Sequence, residues 1–403
     1  MLSPTRQIAK PEFIALVAMH FAMVAMSIDA MLPALPDIAR EISPEAPNQA
    51  QLILTSFVFG MGVGTFFTGP LSDAFGRRRV IFLGVAVYIL GAALAALAAT
   101  LEQMIAARIL QGLGVAAPRI VCLAIVRDLY SGRPMAQIMS YAMLIFTLVP
   151  AVAPLMGAVV IELSHWRMIF VVFVAFSLFT VSWLALRQPE TLPPERRLPM
   201  RATHLKQSVV VCFSHSSFSI SVLVQSMTLG MLFACLSSTQ QIFDISFDRN
   251  DSFPLWFAFI ALVSGSASIL NARLVIRLGM RKMIQIGFAG TFVLSTSIVL
   301  ANVIGSIGFT HYLIWTISIF FMAGLVIGNL NALAMEPLGE IAGMAASIIG
   351  SISTVLAVVI AVPIGLAFDG TPLPLAVSLA GLAAICIAIM LLFLPDRSET
   401  SEP

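Results

Sequence analysis

Apolar runs broken by short polar or turn-forming segments recur along the whole chain. They fall at residues 12–35, 49–70, 79–100, 103–127, 137–161, 166–187, 210–242, 253–273, 283–304, 311–335, 341–368 and 373–394. A helix crossing a hydrocarbon layer about 30 Å thick needs roughly 20 such residues. The pattern therefore predicts twelve membrane-spanning helices, numbered here as spans 1 to 12. The run at 210–242 exceeds one crossing and is expected to begin as a helix lying in the interface. The spans use nearly all of the 403 residues and leave no stretch for a sizeable soluble domain. The expected fold class is an all-α polytopic membrane protein.

Composition agrees. Hydrophobic residues make up 59% of the chain and charged residues 10%, against about 25% charged in a soluble domain. The first run follows Arg6 and Lys10, as the core of a signal peptide would. It is long enough to span, lacks a small-x-small cleavage site and is followed by further spans, so it reads as the first transmembrane helix. The cysteines Cys122, Cys212, Cys235 and Cys386 lie in apolar runs without a C-x-x-C pair, which suits small buried residues rather than a metal site or disulfide framework. The five histidines are scattered, without the i, i+4 spacing of a helical metal site. No metal or cofactor is expected.

Charge placement says more than the net charge of +2. With an even number of spans both termini share a side. If that side is cytoplasmic, it carries Arg6, Lys10, Arg77, Arg78, Arg79, Arg127, Arg133, Arg187, Arg196, Arg197, Arg201, Lys206, Arg273, Arg277, Arg281, Lys282 and Arg397, against Arg40, Arg167 and Arg249 outside. The positive-inside rule selects this orientation, expected in a bacterial inner membrane. The segment 188–206, with Pro189, Pro193, Pro194 and Pro199, reads as a solvated cytoplasmic linker between bundles at 1–187 and 207–403. A weak repeat supports two halves. Leu71, Gly76 and Arg78-Arg79 between spans 2 and 3 match Leu274, Gly279 and Arg281-Lys282 between spans 8 and 9, at an offset of 203. Six-plus-six repeats joined by a basic loop are the plan of many secondary transporters.

The strongest local signal is Gly69-Pro-Leu-Ser-Asp-Ala-Phe-Gly-Arg-Arg-Arg79. Gly76 permits a tight turn, Asp73 can pair with a cation or sit at a helix N-terminus, and the arginines suit an anionic inner leaflet. A basic loop serving topology alone would look the same. The segment nevertheless resembles the signature loop of the major facilitator superfamily, matching at Gly69, Leu71, Asp73, Gly76, Arg77 and Arg78. Arg108-Ile-Leu-Gln111-Gly112-Leu-Gly114-Val-Ala116-Ala117 in span 4 is similar to a motif of the drug/proton antiporter branch. Val-Arg127-Asp128-Leu-Tyr130, Asp29-Ala-Met-Leu-Pro33-Ala-Leu-Pro36 and Gly339-Glu-Ile-Ala-Gly343-Met-Ala-Ala-Ser347 resemble its bicyclomycin- and chloramphenicol-resistance subgroup. In span 5, Pro150, Ala153, Pro154 and Gly157 fit the core of the antiporter motif, whereas Ala142 and Phe146 replace its upstream glycines. The resemblance implies the major facilitator fold, with two six-helix pseudo-repeat bundles. It implies that Arg77, Asp73 and Asp128, together with Gly69, Gly76 and Arg78, form a cytoplasmic conformational gate. A solvated cluster of charges contributing little is the plainer reading.

Charges inside spans are costly and usually functional. Asp29 is the candidate proton carrier, although Pro33 and Pro36 also suit a wet position near the outer end of span 1. Arg108 and Arg119 are eleven residues apart, about three helical turns, and share a face with Gln111, Val115 and Cys122. This stripe is expected to line a water-filled cavity. The resemblance assigns Arg108 to proton coupling or gating. Arg119 stands where the subgroup has a small residue; it attracts an anionic substrate or pairs with Asp29. Gln225, Gln240, Gln241, Asn271, Asn329 and Asn331 lie in apolar runs. Of these, Gln225, Gln240 and Asn329 are the cavity candidates, although tying helices together is the commoner use of such groups. The 21 methionines and 28 phenylalanines suit adaptable apolar binding, and most of them will face lipid or core.

The three lysines follow no glycine, so no ATP-binding P-loop is present, and no catalytic constellation is visible. The expected function is proton-driven efflux of small amphipathic drugs or metabolites by a monomer, without nucleic acid. A lone intramembrane carboxylate could equally serve sodium. The rivals are a transporter dedicated to one metabolite, an anion if Arg119 contacts it, a non-transporting sensor on the same fold, and, weakest, a membrane-embedded enzyme.

Overall fold

The computed structural model describes residues 8–197, 202–305 and 307–393, so Arg6, Pro199, Arg201 and Arg397 lie outside the described residues, as does the side chain of Phe146. The chain is 88% helical, with no strand among the described residues. Among the described residues twelve helices are long and apolar enough to cross a membrane: Lys10–Ile42, Pro47–Phe75, Arg77–Ala96, Leu101–Leu129, Gly132–Leu163, Arg167–Arg187, Ser216–Ser246, Phe253–Leu278, Met280–Val303, Phe309–Gly339, Gly343–Leu366 and Leu373–Phe393. The long run at 210–242 resolves into a separate 13-residue helix, Ala202–Ser214, and then span 7. The chain divides into two compact units. One comprises Met1–Ala202 with Asp251–Ala258, the other Thr203–Asn250 with Phe259–Pro403.

Within the first unit span 4 packs along spans 2 and 3, span 3 along span 6, and span 1 along span 5. Within the second unit span 7 packs on span 11 and span 9 on spans 10 and 12. The pairs 1·5, 3·4 and 3·6 thus recur six spans later. The repeated turn is visible in the backbone too. Gly76 and Gly279 both have positive φ, 95° and 80°, and each sits at the N-terminus of the helix that follows. Only glycine adopts that conformation without a steric cost.

Small residues let the helices of the first unit approach closely, as is usual where lipid removes the hydrophobic drive between helices. A Cβ on Gly112 would lie 2.1 Å from the Phe57 carbonyl oxygen, and one on Gly60 would lie 2.1 Å from that of Ile109. Spans 2 and 4 therefore touch backbone to backbone, and this contact determines which carbonyls span 4 can reach.

Span 1 is interrupted. A helix runs Lys10–Asp29, a short 3₁₀ turn Leu32–Ala34, and a second helix Leu35–Ile42. Pro33 has no N–H to bond the Asp29 carbonyl, and Pro36 none for that of Leu32. The break falls at Asp29, and the helix resumes beyond it. Asp29 is therefore well inside a 33-residue span and only 5% exposed, which corrects the wet outer position that the two prolines suggest.

Replacing Gly112 by valine is expected to lower the melting temperature and the folded yield in detergent, because overpacking costs about 1–3 kcal/mol. Gly290→Ala, where a Cβ meets nothing within 4 Å, is the control and should leave both unchanged.

Candidate functional site

The buried charges of the first unit centre on Arg108, which is fully buried. Its Nε donates to the Ile53 carbonyl at 3.2 Å, Nη1 to Gln111 Oε1 at 2.6 Å and Nη2 to the Ser27 carbonyl at 2.8 Å. The guanidinium carbon lies 4.3 Å from the centre of the Phe57 ring, a cation–π distance. The close contact of spans 2 and 4 brings the Ile53 carbonyl and Phe57 into range. Tyr88 adds to the cluster: Ser27 Oγ donates to the Met23 carbonyl at 2.6 Å and accepts from the Tyr88 hydroxyl at 2.6 Å. Arg108 thus joins spans 1, 2 and 4 through neutral acceptors.

Asp29 lies two residues beyond Ser27. Among the described residues no cation is within salt-bridge distance of it. Span 5 approaches at the next residue, since a Cβ on Gly157 would lie 2.0 Å from the Ala30 carbonyl oxygen. The Pro150, Pro154 and Gly157 segment, with both prolines inside a 32-residue helix, therefore packs against the break beside Asp29.

The stripe read along span 4 divides in the structure. Arg108, Gln111, Val115 and Cys122 are fully buried, not facing open space as the periodicity suggests. Arg119 is half-buried, and its Nη1 contacts Met61 Sδ at 3.7 Å. The pairing of Arg119 with Asp29 does not occur. Arg108 is level with Ser27, and Arg119 stands eleven residues farther along span 4, about 16 Å down the axis.

At the signature loop Arg77 bonds Asp128 through Nε at 2.9 Å and Nη2 at 3.4 Å, and donates to Ser72 Oγ at 2.8 Å and to Asp73. Gly69 contributes its carbonyl to Ser72 Oγ at 2.9 Å. Arg78 is buried and donates to the Ala185 carbonyl at 2.8 Å. All these partners belong to the first unit. The sequence reading missed Glu190. Its carboxylate accepts the backbone N–H groups of Arg77 at 2.9 Å and Arg78 at 3.0 Å, and those of Thr191 and Leu192 at 3.1 Å. A carboxylate at a helix N-terminus satisfies orphan N–H groups and suits the helix dipole. Thr191 Oγ1 donates to Asp128 Oδ2 at 2.8 Å. The start of the 188–206 segment is therefore docked, not solvated. The available signal was an acid and a hydroxyl directly after the last residues of span 6.

Two further ties escaped the sequence reading. Glu12 accepts from Trp183 at 3.1 Å and from Arg187 at 2.7 and 2.8 Å, joining spans 1 and 6. Near the far end of span 1, Glu41 accepts from Trp166 Nε1 at 2.7 Å and from Arg167, whose Nη2 donates to the Ala98 carbonyl at 3.0 Å.

In the second unit Asn329 donates to Asn271 Oδ1 at 2.8 Å and to the Leu325 carbonyl at 2.7 Å, joining spans 8 and 10 as helix glue. Gln240 donates to Asn250 Oδ1 at 2.9 Å, while its buried Oε1 and that of Gln225 have no hydrogen-bond partner among the described residues. Gln241 precedes a π-helical turn, Ile242–Ser246. Such turns often mark functional positions.

Comparison with known proteins fits this geometry. The chain is 30% identical over 344 residues to a bicyclomycin resistance protein homolog of Haemophilus influenzae, covering 84% of this chain and 85% of that one. It is 36% identical over 172 residues to a chloramphenicol resistance protein of Pseudomonas aeruginosa, covering 42% of this chain and 40% of the relative. Its fold is that of a solved D-xylose-proton symporter, with a TM-score of 0.75, 15% identity and coverage of 96% of this chain and 98% of the other. A family model described as Major Facilitator Superfamily matches residues 17–362, and the chain belongs to that superfamily of multi-pass membrane transporters.

Proposed function

We propose that the protein exports small amphipathic drugs or metabolites in exchange for protons by alternating access, as a monomer in a bacterial inner membrane with both termini cytoplasmic. The observation that carries this reading is Asp29: 5% exposed, at a break in span 1, with no cation paired to it among the described residues. A carboxylate so placed resolves its desolvation by taking up a proton and releases it when the surroundings become wet. Arg108, tied to the carbonyl of Ser27, acts by fixing the helix that carries Asp29. The resistance named in two relatives supports drugs as substrates.

The proposed cytoplasmic gate is Gly69, Asp73, Gly76, Arg77, Arg78 and Asp128, to which the docked linker adds Glu190 and Thr191. Charge-assisted hydrogen bonds contribute about 1.5–3 kcal/mol each, enough to bias a two-state equilibrium at least tenfold.

The test is a susceptibility panel in a bacterial host stripped of its own pumps, comparing wild type, Asp29→Asn and an empty vector at matched abundance. Wild type alone is expected to protect against one or more compounds. Protection by Asp29→Asn equal to wild type would remove Asp29 as the proton carrier, and no protection by wild type would remove drug export. Asp128→Asn keeps the shape facing Arg77 but loses the charge. It is expected to reduce protection at unchanged membrane abundance, and full protection would remove the gate role.

A further inference from the structure

Arg108 and Arg119 of span 4 are the same residue type on one helix face, and the fold treats them differently. Arg108 is closed in by three oxygen acceptors and an aromatic face. Arg119 is half-buried, with one thioether contact. A guanidinium carries five N–H donors and stays protonated in proteins, and thioether sulfur is a weak acceptor. An unpaired acid in a span can shed its charge by protonation, as Asp29 can; an unpaired guanidinium cannot. Among the described residues no carboxylate lies within salt-bridge distance of Arg119. Unlike Arg108, it keeps partial exposure and meets no oxygen acceptor among the described residues.

Resting on the export reading, we propose that Arg119 binds the acidic group of the transported substrate, which is a small organic anion with an apolar body. A carboxylate or sulfonate can accept two parallel N–H bonds from the guanidinium. Met61, only 4% exposed, lies alongside; its flexible thioether adapts to varied apolar shapes. Helical spacing puts Val115 and Cys122 one turn to either side of Arg119; both are fully buried, so the partial exposure is confined to Arg119 itself.

The experiment is equilibrium dialysis of the purified full-length protein in detergent against three isosteric probes differing in charge: naphthoate, naphthamide and naphthylmethylamine. Each is measured with wild type, Arg119→Gln and Arg119→Lys, all confirmed as monodisperse with an unchanged melting temperature. Wild type should favour naphthoate. Arg119→Gln should weaken naphthoate roughly 10–100-fold, as expected for loss of a charged hydrogen-bond partner, and leave naphthamide unchanged. Arg119→Lys should restore part of the loss. The proposal is overturned by unchanged naphthoate binding to Arg119→Gln, by an equal loss of naphthamide, by preference for the amine, or by a wild type that binds none of the three. Any of these, alongside compounds protected by wild type but not Asp29→Asn in the susceptibility panel, would sink the anion site and leave proton-coupled export standing.

Discussion

Arg108 carries its charge into a region where no water solvates it, and the fold answers with backbone carbonyls and an amide instead of a carboxylate. That choice constrains much else. The carbonyls are within reach only because spans 2 and 4 meet at Gly60 and Gly112. The Ser27 carbonyl fixes the register of span 1 against span 4, and with it the depth of Asp29. Had a carboxylate neutralised Arg108, the pair would be a static strut, since removing either partner of a buried pair is strongly destabilising. Neutral acceptors hold the guanidinium while leaving Asp29 free to change its own charge.

Around that fixed point the unit separates permanence from change. Arg108 is held by three oxygen acceptors of the fold. Asp29, the proposed proton carrier, has no cation paired to it among the described residues and lies beside a helix break, against the close approach of Gly157 to Ala30. A break frees carbonyls and interrupts the hydrogen-bond ladder, so the helices Lys10–Asp29 and Leu35–Ile42 are separate segments of one span. The prolines of span 5 place a second irregular helix against the same point.

Much of this was legible in the sequence, and the misses share one cause. Apolar run length located all twelve spans, and glycine spacing located the repeated turn at Gly76 and Gly279, because both depend on local chemistry. The sequence also marked Asp29 and Arg108 as costly. It could not say which atoms meet them. Periodicity put Arg108 and Arg119 on one face but did not reveal that Arg108 is closed in by Phe57 and the Ile53 carbonyl while Arg119 is left partly exposed with a thioether contact. Pro33 and Pro36 signalled a helix end, whereas the helix resumes at Leu35, so the depth of Asp29 was misread. Glu190 was hidden for a related reason: a carboxylate that caps a helix distant in sequence looks like any linker acid until the chain is folded.

The repeat shows which parts of the gate are architectural. Both units keep the positive-φ glycine and the basic residues after it, so the backbone turn and its leaflet anchor are common to both. The position equivalent to Asp73 is Ile276, 87% exposed, and that equivalent to Arg77 is Met280. The electrostatic network that joins loop, span 4 and linker in the first unit therefore has no counterpart built from those two positions in the second. Confining the acid and arginine to one copy gives the turn at Gly76 an electrostatic tie to span 4 that the turn at Gly279 does not build from the equivalent positions, although both keep the same backbone geometry.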